Sequence, residues 1–281
     1  MGTPVRKGGG VGGVLSRSPS QRLAEILEKQ RRPPIPFKKG RKEVCRYNYL
    51  DENGHLAFFK IRYALDPAVW NGRTKDFRCF SPSPVNPNLV SPGAPEGADY
   101  LYRLPELLAG PKGTSTLEKA HLHFCEGEKD TDALISAGCW ATTSHAGALK
   151  CSSGMARWAV RALHLYRTAN PRAPAPVVWV WVDKDWPSVT RDPRSDPRVG
   201  AFGAALRANA LRSAGWKGGI EFVRARGPRT KDPFDHLAAG FSPVVDGVRG
   251  VVLVDPDRLA DLARSFDLSR GDPSSWAGYE K

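Results

Sequence analysis

The run Pro176-Val-Val-Trp-Val-Trp-Val182 constrains the fold of this chain more than any other stretch, because seven mostly β-branched and aromatic residues end directly on Asp183-Lys184-Asp185. Such a run is a strand. A second one precedes it: Ala120-His-Leu-His-Phe-Cys125 stops at Glu126-Gly127, and a helical pattern starts at once. In an open parallel sheet, functional groups gather where strands end at their carboxyl edge. If the two strands are parallel neighbours, Glu126, Asp183 and Asp185 share that edge. Side chains alternate along a strand, so Asp183 and Asp185 project to one side and can hold a divalent cation through oxygen ligands.

The surrounding pattern supplies the rest of such a sheet. A helix is expected over 129–137, ending at Gly138, then a strand over 139–143, a loop at 144–150 and a helix over 153–169. After the strand at 176–182 comes a basic, Pro-rich excursion (186–198) carrying Arg191, Arg194 and Arg198, then a helix over 200–213 and a strand over 219–224. Asp232-Pro233 opens a short helix through Leu237. The tail adds a strand at 251–254 and a helix capped by Asp255-Pro256, with Leu259, Leu262 and Phe266 on one face. Alternating elements of this kind make an α/β fold with a parallel sheet.

Upstream the periodicity is different. Residues 44–50 and 55–63 alternate around Asn53-Gly54, a strong hairpin signal, and 75–80 adds a third strand. This β-rich unit carries Arg46, Lys60, Arg62, Lys75 and Arg78 among aromatics, a mixture found on nucleic-acid platforms and on ordinary half-exposed sheets. Residues 81–99 read as a loop. Before the hairpin, Ser18, Pro19 and Gln21 cap a helix over 18–30 striped by Leu23, Ile26 and Leu27, and a basic, Pro-rich linker follows over 31–42. The expected organisation is a basic arm at 1–43, a β-rich accessory region at 44–115, the α/β domain at 116–245 and an extension at 246–281.

The formal charge of +13 over 281 residues favours polyanionic partners, nucleic acid first. Residues 1–43 hold a surplus of eight positive charges, which leaves about +5 for the remainder. Cys45, Cys79, Cys125, Cys139 and Cys151 are widely spaced, so neither a disulfide framework nor a zinc site is expected. No run approaches bilayer length, and the Gly-rich basic start lacks a signal peptide's hydrophobic segment. A cytoplasmic protein with no membrane partner is expected.

Glu126-Gly127 with Asp130 three residues on, followed by Asp183-x-Asp185, resembles the Toprim domain of primases, topoisomerases, some nucleases and recombination factors. YNYLDENG (47–54), Lys75-Asp-Phe-Arg78, Leu101-Tyr-Arg-Leu-Pro-Glu106, His145-Ala-Gly-Ala148 and Lys231-Asp-Pro-Phe-Asp-His-Leu237 narrow the resemblance. In order, they are similar to the layout of primase-like Toprim proteins of phages and plasmids, over about residues 44–240.

That resemblance implies a Rossmann-like Toprim core. Glu126 would be general base or acid, and Asp183, Asp185 and Asp232 would surround magnesium or manganese. Asp130 and Asp235 are further metal or supporting residues, and Asp130 is also read as a helix cap. Gly127, Lys129, Gly147, Lys150 and Lys184 are candidates for nucleotide or phosphate contact. The implied activity is primer synthesis on single-stranded DNA from nucleoside triphosphates, with a separately encoded helicase as a partner. A Toprim nuclease and a noncatalytic nucleic-acid-binding module that recruits a helicase are the alternatives. The chain departs from the family in having no zinc ribbon and no phosphate-loop motor. His121 and His123 are expected to be structural, His145 faces the active edge, and His236 belongs to helix packing.

Overall fold

The computed structural model describes residues 40–83, 90–111, 121–147, 150–185, 197–243, 251–261 and 264. The expected helix at 18–30, the linker up to residue 39, Ala148, Arg191, Arg194, Leu262 and Phe266 lie outside the described residues. The chain divides after Lys39, and both of its sheets belong to the unit Gly40–Lys281.

The alternating segments upstream form an antiparallel sheet of β1 (Arg41–Leu50), β2 (Leu56–Leu65), β3 (Lys75–Pro82) and β4 (Val90–Pro92), in that spatial order. The β1–β2 turn works because Gly54 adopts φ 83°, costly for a residue with a Cβ, and because the Asp51 carboxylate accepts the N–H groups of Asn53 and His55 at 2.9 and 2.8 Å. Strand β4 falls inside the segment whose Pro and Ser content reads as loop. It is only three residues long and sits at the sheet edge, where proline is tolerated. The pleat divides the basic residues between two faces: Tyr47 opposes Lys60 and Lys60 opposes Cys79, while Arg46, Ile61 and Arg78 form the adjacent row.

Leu101 bridges Ser144, and α1 (Leu104–Ala109) leads into the second sheet. There β5 (Leu122–Cys125), α2 (Glu128–Ser136), β6 (Trp140–Thr143), α3 (Ser153–Ala169), β7 (Val178–Trp181), α4 (Pro197–Ser213), β8 (Ile220–Arg224), α5 (Pro233–Ala238) and β9 (Val252–Val254) follow in turn. The strand order is β6-β5-β7-β8-β9, parallel except for β9. The protein is therefore a mixed α/β structure with a mostly parallel five-stranded sheet and an antiparallel four-stranded one. Every residue of β5, β6 and β7 is buried, as covering both faces of a parallel sheet requires. Leu122, Phe124, Val178 and Val180 pack with α1, α3 and α4 on one face, and Cys125, Trp179 and Trp181 pack with Leu134 of α2 and Leu237 of α5 on the other. Because β6 and β7 lie on opposite sides of β5, the chain reverses its direction of travel across the sheet there, and a crevice opens at the carboxyl ends of β5 and β7.

His121, just before β5, and His123, within it, both pack against the tryptophans of β7. His123 is buried against the tryptophans of β7, and its Nδ1 accepts the Trp181 indole N–H at 3.1 Å; His121 stacks on Trp179 at 4.6 Å. Burial, reinforced by His121, lowers the His123 pKa to about 3. A base whose folded pKa lies below its unfolded value favours the unfolded state in acid, so its contribution to stability is complete above pH 6.5 and is lost as pH falls toward 3. The slope reaches about 1.4 kcal/mol per pH unit in that window. His123→Gln, which can still accept from Trp181, is expected to remove this component. The check is a comparison of unfolding free energies of the two proteins from pH 7 to 4, whose difference isolates His123 from the carboxylates.

Candidate functional site

Three short connections bring the functional residues to the crevice. After β5, Gly127 caps α2 in extended conformation, and a Cβ on it would stand 3.2 Å from Asp130 Oδ2. Glycine thus leaves room for Asp130 to turn back toward the sheet edge. After β7, the first turn of α4 presses on the backbone of Asp183, where a Cβ on Gly200 would stand 2.1 Å from the Asp183 carbonyl oxygen. Before α5, Asp232 Oδ1 accepts the Asp235 N–H at 2.9 Å, and Asp235 Oδ2 accepts the Lys231 N–H at 3.1 Å. This reciprocal cap fixes the loop, and a backbone bond from Lys184 N–H to Lys231 carbonyl at 3.0 Å ties it to the end of β7.

The result is a cluster of carboxylates. Asp130, Asp183 and Asp232 each place an oxygen within 4.8 Å of the others, an arrangement that could bind a metal ion. Asp130 Oδ1, Asp183 Oδ1 and Glu126 Oε2 are buried and accept no hydrogen bond among the described residues. Buried polar atoms left without partners are costly. An all-oxygen, multiply negative set of this kind fits a hard divalent cation, which would satisfy those lone pairs and offset the repulsion. Burial, then Asp232, pushes the Asp130 carboxyl up to about 8, and burial, then Glu126 and Asp130, holds Asp183 well above the carboxylate range. Burial also raises Glu126, with Arg207 opposing it.

Asp185, which the spacing marks for metal ligation beside Asp183, accepts Lys231 Nζ at 2.8 Å, and Asp183 lies 3.6 Å from the same ammonium. Burial would lower the Lys231 pKa, but Asp183 and Asp185 outweigh it and raise it. Asp130 takes the third place in the cluster, and Asp235 serves the α5 cap. The Lys184 side chain, on the opposite side of the strand extension from its two acidic neighbours, is buried and donates to the Gly227 carbonyl and Thr230 Oγ1. Burial, then Arg224, lowers its pKa to about 8.

The cluster forms part of the lining of a cavity of about 440 Å³. Glu126, Gly127, Glu128, Lys129, Asp130, Asp183, Lys231 and Asp232 come from the parallel sheet's edge. Tyr47, Lys60, Arg62, Lys75, Phe77 and Cys79 come from the antiparallel sheet, and His145 and Gly147 from the loop after β6. Gly147 has φ 73°. Lys129 Nζ lies 3.5 Å from the Phe234 ring centroid. Lys150 is exposed along an adjoining depression with Ser152 and His145. The His145 carbonyl accepts Lys60 Nζ at 2.9 Å, and burial, then Lys60, lowers the imidazole pKa to about 4.

Lys231 and Glu128 carry no local signal in the sequence that marks them for the site. Glu128 accepts Lys60 Nζ at 2.7 Å and the Tyr49 hydroxyl at 2.6 Å, which pins the antiparallel sheet to α2. Nothing local in sequence announces a pair so far apart in the chain.

Fold and site together define an α/β protein with a carboxylate cluster and a ring of cations at the switch point of a parallel sheet. Compared with known families and curated proteins, the chain matches no family model and no curated protein. No helix among the described residues is long and apolar enough to cross a membrane.

Proposed function

We propose that this chain is a primase-like Toprim protein of a mobile element or prophage, carrying out magnesium-dependent nucleotidyl transfer on single-stranded DNA. The observation that carries this reading is the meeting of Glu126, at the end of β5, with the Asp130, Asp183 and Asp232 cluster at the switch point of the sheet. Asp130, Asp183 and Asp232 would hold magnesium or manganese. A divalent cation there supplies polarisation of phosphoryl oxygens and charge neutralisation. Glu126, whose carboxyl is raised by burial, accepts the proton of an attacking hydroxyl. Lys129, Lys231, Lys75 and Arg62 line the same cavity and draw in the phosphate chain. The charge of +13 favours a polyanionic strand as template.

The test is incubation of purified protein with single-stranded DNA, labelled nucleotides and magnesium or manganese, beside Glu126→Gln and Asp183→Asn. Labelled oligomers made by the wild type and lost in both variants are expected. DNA shortening with the same mutant pattern would reassign the chemistry to a nuclease. Tight DNA binding without turnover would leave a noncatalytic module.

A further inference from the structure

The cavity has a second wall that the carboxylate chemistry does not use. Phe77 of β3 lines it and is 40% exposed, in a row of alternating residues that also presents Lys75 and Cys79 to the cavity. Directly across the strand pair stands Arg62, and Lys60 Nζ lies over the Phe77 ring, 5.0 Å from its centroid. Lys60 is itself fixed by Glu128 at 2.7 Å and the His145 carbonyl at 2.9 Å. The aromatic ring is therefore held from one side by an anchored ammonium and flanked by two further cations.

A scattered exposed phenylalanine needs no explanation, but this one faces a concave, charged site. Phe234, similarly exposed, is not among the residues lining the cavity, and Lys129 Nζ lies over its ring. At about 440 Å³ the cavity has the size of a small-molecule site. Its cations suit a phosphate chain, and an aromatic face suits a base, since every nucleobase has a π-face to stack.

We propose that Phe77 is the stacking platform for the nucleobase of a phosphate-bearing ligand, with Arg62 and Lys75 beside it on the phosphate chain. This rests on the nucleotidyl-transfer reading for the identity of the ligand, and it assigns recognition of the base to the antiparallel sheet. The ligand's shared chemistry is a nucleobase joined to phosphate; the two sources are a free nucleoside triphosphate and a base of the single strand.

Calorimetric titration in magnesium buffer separates them, with three probes: ATP, an oligothymidylate and inorganic tripolyphosphate. Phe77→Ala is expected to weaken ATP or the oligothymidylate by about 5- to 150-fold, the range for one lost stacking partner. Tripolyphosphate affinity stays at the wild-type value, and Phe77→Trp retains wild-type binding of all three. Loss confined to ATP places the incoming nucleotide on Phe77; loss confined to the oligothymidylate places the strand there. Unchanged affinity of Phe77→Ala for both base-bearing probes, or an equal loss for tripolyphosphate, overturns the proposal. The reading of the carboxylates fails separately, if Asp183→Asn and Glu126→Gln leave nucleotide incorporation intact.

Discussion

Lys60→Met is expected to destabilise the protein by about 3–5 kcal/mol, the usual cost of stranding one member of a buried ion pair. Glu128 is 3% exposed, and after the substitution the Tyr49 hydroxyl at 2.6 Å would be its remaining partner among the described residues. A neutral hydrogen bond does not offset a desolvated charge. The same substitution also frees the His145 carbonyl, loosening the loop that carries Gly147. Denaturant unfolding checks the magnitude, and the double variant Lys60→Met with Glu128→Gln provides the control. Removing both charges is expected to restore much of the loss. Equal destabilisation in the single and double variants would mean that the stranded carboxylate is not the cause.

The second large effect runs in opposite directions with and without a divalent cation. Asp183 is 5% exposed and is raised by burial and by Glu126 and Asp130, so in metal-free protein Asp183→Asn relieves repulsion. A gain in the stability of the metal-free protein is expected. Lys231 retains Asp185 at 2.8 Å, so the variant strands no cation. With magnesium the order reverses: the wild type gains stability on binding and the variant does not. Metal affinity is expected to fall by more than the roughly 100-fold seen when only a supporting partner is removed. The pH dependence of the metal-free wild type carries the same signature. The Asp130 carboxyl, held at about 8 in the fold against 3.8 in the unfolded chain, adds stability that is complete below 3.8 and is lost as pH rises through 8. Thermal unfolding of both proteins, with and without magnesium, reads all of these effects.

The residues that were legible in sequence are those whose signal is local. The run at 176–182 is too apolar and too β-branched for a surface element, so β7 and its acidic end could be placed, as could the abrupt change at Glu126-Gly127. Asp232-Pro233 before α5 marks its helix through capping chemistry that acts within four residues. What failed to show depends on contacts between distant segments. Asp130 is a metal or supporting candidate in sequence, but its place in the cluster depends on α2 folding it back past Gly127, which strand alternation does not encode. Lys184 lies between two acids in sequence, yet that same alternation turns it to the other side. Gly200 and the Lys60–Glu128 pair report close approach of elements, which no period in the sequence encodes.

Asp130, Asp183 and Asp232 are expected to bind a divalent cation. Titration of the protein with manganese, followed by the paramagnetic signal of the free ion, tests it without requiring turnover. The wild type is predicted to deplete free manganese with a saturable stoichiometry that magnesium competes away, and Asp183→Asn to leave it in solution. No depletion by the wild type, or the same depletion by the variant, would mean that these three aspartates do not bind the cation.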